Sequence, residues 1–135
     1  MSYYIAAQLR IPFEDAIART ESALREEGLG IISRIDIQEA LKTKIGVDFR
    51  PYTILGACNP ALAHEALKLE DKVGTMLPCN VVVQAREDGG SEVAAIDPVA
   101  SMQAIENPRL AEAAREVRLR LSRVIQSLQT ESAAA

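Results

Sequence analysis

The chain has 135 residues, a length that suits one hydrophobic core and can bury enough surface to fold without a metal or a disulfide. Hydrophobic residues make up 48% of it but aromatic ones only 4%, with no Trp, so the core is aliphatic and stacking on bases or sugars is disfavoured as the main means of binding. Lys and Arg number 15 against 19 Asp and Glu, a net charge of −4 that offers no general attraction to nucleic acid, and no apolar run reaches membrane-spanning length.

Tyr3, Ile5, Ala7 and Leu9 alternate with Tyr4, Ala6, Gln8 and Arg10, the period of a strand with one apolar face. No basic stretch followed by an apolar signal segment precedes it, so the expected address is the cytoplasm. Pro12 suits the first turn of a helix, and Glu14 and Asp15 complement its positive end. Phe13, Ile17, Thr20 and Leu24 recur at helical spacing up to Gly28, the expected C-cap.

Ile31, Ile32, Ile35 and Ile37 give a β-branched second strand. Asp36 and Glu39 form a capping box for a short helix ending at Gly46, although residues 37–45 also fit a strand. Arg50 to Cys58 reads as a third strand. Asn59 and Pro60, an N-cap followed by a first-turn proline, open a helix to about Leu69.

Cys79 to Ala85 alternates as a fourth strand, and Glu87 to Gly90 supplies turn chemistry before a fifth, Glu92 to Ile96. Asp97-Pro98 and Asn107-Pro108 repeat the cap-then-proline signature, predicting a short helix and then a long one. Along the long helix Leu110, Ala114, Val117, Leu121, Val124 and Leu128 form a narrow apolar stripe fit for a sheet or a partner helix. Residues 1–130 read as one domain and 131–135 as a frayed tail. Clustered strands with short helical insertions predict an α+β fold, one antiparallel sheet packed on the long C-terminal helix; a doubly wound parallel sheet is the alternative.

Reactive side chains concentrate in Cys58-Asn59-Pro60, His64 and Leu77-Pro78-Cys79-Asn80, which hold both cysteines and the only histidine. A thiol beside a helix N-terminus has its thiolate favoured, which makes Cys58 the candidate nucleophile. In an antiparallel sheet the end of the third strand and the start of the fourth share one edge, so Cys58 and Cys79 face one pocket with His64 above them. Two thiolates and an imidazole are a partial shell for zinc or copper, although the spacing matches no zinc knuckle or finger. The plainer readings are a small buried residue for Cys79, which shares a face with Val81 and Val83, a structural residue for Cys58, and a partly exposed or core-edge histidine bonded to backbone for His64. Without an export signal both cysteines are expected as free thiols. No G-x-S-x-G, H-E-x-x-H or P-loop pattern occurs.

Asp48, Phe49, Tyr52, Leu55, Cys58, Asn59, Pro60, Leu62, Ala63, Ala66 and Leu67, then Gly74, Leu77, Pro78, Cys79, Asn80 and Val81, fall in a pattern that resembles the domain-of-unknown-function 302 family. The resemblance continues into the N-P-x-L-A-x-x-A-x-x-V start of the last helix. It implies a TATA-binding-protein-like fold, strand–helix–four strands–helix, with an antiparallel sheet, and it implies no activity. The expected function is therefore that of a small, homodimeric, cytoplasmic binding protein, without nucleic acid or membrane as partner. Its small ligand or metal would sit at Cys58, His64 and Cys79, flanked by Asn59 and Asn80. Two alternatives stand beside it: a thiol-dependent enzyme or redox protein with Cys58 as nucleophile, Cys79 as resolving thiol and His64 as base, and an interaction module that binds through the C-terminal stripe or a sheet edge.

Overall fold

In the computed structural model residues 2–134 are described, 131–134 by their backbone alone. The elements follow in the order β1 (Tyr4–Leu9), α1 (Phe13–Glu26), β2 (Gly30–Asp36), α2 (Ile37–Ile45), β3 (Tyr52–Cys58), α3 (Pro60–Leu69), a 3-10 helix (Asp71–Met76), β4 (Cys79–Ala85), β5 (Ser91–Ile96), α4 (Pro98–Ser101) and α5 (Pro108–Ala134). The five strands form one sheet in the order β1-β5-β4-β3-β2. Every pairing is antiparallel, which settles the fold as α+β and excludes the parallel alternative.

Local chemistry explains the boundaries. Asp36 accepts a hydrogen bond from the backbone N–H of Glu39 and starts α2 as a helix rather than a continuation of β2. At the end of α1, Gly28 takes a φ of +74°, its N–H bonds to the carbonyl of Arg25, and the N–H of Leu29 bonds to that of Leu24. This is a Schellman stop, sealed by the buried side chains of Leu24 and Leu29. Asp97, buried, caps α4 through the N–H groups of Val99 and Ala100 and takes an ion pair from Arg118 of α5 at 3.2 Å.

One face of the sheet carries the core. Leu9, Leu55, Val81, Val83 and Val93 point into it and meet Ile17 and Leu24 of α1 and Leu121, Val124 and Leu128 of α5. The C-terminal stripe predicted from sequence is thus spent inside the molecule, with Leu110 and Ala114 buried in a second, smaller cluster beside Ala66, Val73 and Met102. α5 continues helical to Ala134 through most of the stretch expected as a tail, and Ala135 lies outside the described residues. It also joins the two ends of the chain, since the Gln129 side chain donates to the carbonyl of Gln8 in β1 at 3.3 Å.

The opposite face of the sheet has no helix layer over its centre. Successive cross-strand partners place Ile35, Ile54, Val82, Ala94 and Ala6 in one apolar row across all five strands. The neighbouring row is polar and hydrogen-bonded: Arg50 donates to Gln84 at 2.8 Å, Gln84 to Glu92 at 3.3 Å, Gln8 to the other oxygen of Glu92, and Arg86 to Gln8 at 2.6 Å.

Candidate functional site

The register of β3 against β4 decides where the two cysteines lie. Ala57 pairs with Cys79, so Cys58, one residue further, ends its strand beside the start of β4. Both thiols are free, Cys79 buried and Cys58 half-buried, and both line one apolar cavity of about 40 Å³. Its other walls come from α3 (Leu62, Ala63, Ala66) and from α5 (Leu110, Ala114, Val117). Small side chains leave the room: Ala57, Ala63, Ala66 and Ala114 stand where larger residues would close it. An apolar void of this size stays dry or takes a few apolar atoms more readily than water.

Asn59 organises the entrance. Its carboxamide oxygen accepts from the N–H of Leu62 at 3.0 Å, capping α3, and its nitrogen donates to the carbonyl of Gly28 at 3.0 Å. Arg120 of α5 donates to the adjacent carbonyl, that of Glu27, at 3.0 Å. Two carbonyls just past the end of α1 are therefore satisfied by the start of α3 and the middle of α5, which locks three helices around the cavity. Asn59 was legible as a cap; its second bond was not, because Gly28 lies thirty-one positions away.

His64 and Asn80 are placed elsewhere. The face of α3 turned to the cavity carries residues 59, 62, 63 and 66, the spacing of one helical face, and His64 falls outside it and is exposed. Asn80 alternates with Cys79 along β4, so it lies on the opposite, open face and is exposed. Among the described residues no three His, Cys, Asp or Glu side chains come together as a metal-binding group. The structure brings Cys58, Cys79 and Asn59 to one place and leaves His64 and Asn80 outside it.

The electrostatics of the thiols run against the sequence expectation for Cys58. Burial pushes the Cys58 thiol up from its ordinary value, and burial together with the neighbouring Cys58 pushes Cys79 up to about 11. The first-turn N–H of Leu62, a donor of the kind that stabilises a thiolate, is already taken by the Asn59 carboxamide. At neutral pH the pair therefore presents two protonated thiols, small soft apolar groups with weak donor capacity.

The family profile described as Domain of unknown function DUF302 matches residues 5–128. The crystal structure of an uncharacterized conserved DUF302 protein from Bacillus stearothermophilus is similar to the chain, with a TM-score of 0.85 and 28% sequence identity over 93% of this chain and 98% of that one. No curated protein matches significantly. No described helix is long and apolar enough to cross a membrane.

Proposed function

The chain belongs to the DUF302 family, and from that premise we propose that it is a binding protein whose small, predominantly apolar ligand enters between the Cys58–Cys79 end of the sheet, α3 and α5. The observation that carries this reading is the cavity itself: an aliphatic space walled by alanines, with two protonated thiols at the sheet edge and the Asn59 carboxamide at its mouth. Ligand sites are concave and mostly apolar, with a few convergent polar groups that fix orientation. The volume of about 40 Å³ suits a compact apolar end, the rest of the ligand reaching outward past Asn59.

A thiol nucleophile needs a depressed pKa, and burial shifts both thiols the other way. A zinc or copper site at Cys58, His64 and Cys79 needs three donors converging, and His64 faces away from the cavity. The binding reading requires neither. Native mass spectrometry of untagged protein, beside an Ala63→Leu variant whose added atoms fill the cavity, tests it. The expected result is a small adduct on the unsubstituted protein that the variant lacks. A bare mass for both, together with no binding of an apolar fluorescent probe such as anilinonaphthalene sulfonate to either, overturns it.

A further inference from the structure

We infer that the open face of the sheet is the contact surface for a second copy of this chain, packed face to face about a twofold axis that runs along β4. β4 is the middle strand of five, so such an axis lays β5 of one copy over β3 of the other, and β1 over β2. Every position in the apolar row then has a defined opposite. Val82 meets its own copy on the axis, Ile54 faces Ala94, and Ile35 faces Ala6. On either side of the axis a large side chain lies over a small one, as interdigitating sheet faces require.

The polar row has the same symmetry. Arg50 and Glu92 flank Gln84 from the β3 and β5 sides, and each is held only by neutral amides or aromatic rings. Among the described residues neither has an ion-pair partner within its own chain. By register the axis along β4 lays Glu92 of each copy over Tyr52 of the other, and the Arg50 guanidinium, which reaches back over Tyr52 to donate to Gln84, stands beside it, so both charges find their opposites, twice per dimer. A monomer leaves a carboxylate and a guanidinium side by side on a sheet face, separated by a glutamine; a dimer pairs them.

Composition and size agree with this occupant. The five aromatic residues of the chain include Tyr3, Tyr4, Phe49 and Tyr52, all at the rim of this face, and aromatic residues with Arg are enriched at protein interfaces. Five strands ~4.8 Å apart and three outward rows ~6.8 Å apart give a footprint of roughly 500 Å², before side-chain relief and the aromatic rim, against ~800 Å² per partner in a standard interface. This surface lies on the opposite side of the sheet from the cysteine cavity, so the dimer stands or falls independently of the ligand reading.

Sedimentation velocity on the full chain tests the inference. The unsubstituted protein is expected to be a dimer at micromolar concentration. Glu92→Arg sets two guanidinium groups against each other at two places and raises the dissociation constant by ~100-fold or more, while Arg50→Glu/Glu92→Arg together restore dimerisation. Ala94→Tyr, which collides with Ile54 of the second copy, dissociates it with an unchanged far-ultraviolet spectrum. A monomeric unsubstituted protein, a dimer indifferent to Glu92→Arg and Ala94→Tyr, or a double variant that stays as dissociated as the single one overturns the inference, the last because any other partner for this face lacks the reciprocal Arg50.

Discussion

The side chain of Asn59 donates to the carbonyl of Gly28 at 3.0 Å while accepting from the N–H of Leu62 at the same distance. One carboxamide thus ends α1 and begins α3. It belongs to a reactive-looking Cys-Asn-Pro motif, yet both its hydrogen-bonding functions are engaged within the scaffold.

Replacing Asn59 by Ala removes a helix cap and a link between helices, and stability in urea is expected to fall by about 1–3 kcal/mol. Asn59→Asp keeps the cap acceptor but turns an oxygen toward the Gly28 carbonyl, so it is expected to recover only part of that loss. Full recovery by Asp would show that the bond to Gly28 contributes nothing.

Gly56 is expected to resist even the smallest side chain. A methyl group there would lie 2.1 Å from the Ser33 hydroxyl and 2.6 Å from the Pro78 ring, so β3, β2 and the turn before β4 meet where no Cβ fits. Gly56→Ala is expected to cost about 1–3 kcal/mol in thermal or chemical unfolding, by overpacking. Adding Ser33→Ala removes the nearer clash and recovers part of the loss, the rest persisting through Pro78.

The buried thiol of Cys79 links stability to alkaline pH. Below pH 9 it is protonated in the folded and the unfolded chain, and its contribution is fully present. As pH rises through 9.0, its ordinary value, the unfolded chain releases a proton that the folded chain retains until about 11. The folded state then binds more protons, so stability declines across that window, by up to about 3 kcal/mol. Urea midpoints of the protein and of Cys79→Ala, compared from pH 8 to 10.5, should converge as pH rises; parallel curves would reject the buried-thiol account. In the same range iodoacetamide should label Cys58 before Cys79, and both more slowly than in the unfolded chain.

What the sequence made legible was local. The caps at Asp36, Asn59 and Asp97 and the glycine stop at Gly28 each depend on side chains or φ values within a few residues, and each element expected from them is present. The edge shared by Cys58 and Cys79 followed from the antiparallel order. His64 escaped because the helical phase of α3, fixed by what Leu62, Ala63 and Ala66 pack against, turns position 64 away. The packing of the C-terminal helix on the sheet was expected from the element order and is present, whereas periodicity alone left a partner helix open as the other cover for its stripe. The apolar row across the open face was invisible in the linear chain: it needs strand order and register, which arise from contacts between residues as far apart as Ala6 and Ala94.

The bond between Gln129 and Gln8, with β1 held between β5 and α5, bears on how the protein emerges from the ribosome. β1 precedes the other elements in the chain, but its strand partner among the described residues begins at Ser91, and the helix that covers it follows later still. β1 therefore waits, unpaired, until β5 and α5 have been made, and a stall downstream of β4 would leave the Tyr4–Leu9 segment as an exposed sticky edge that chaperones must shield.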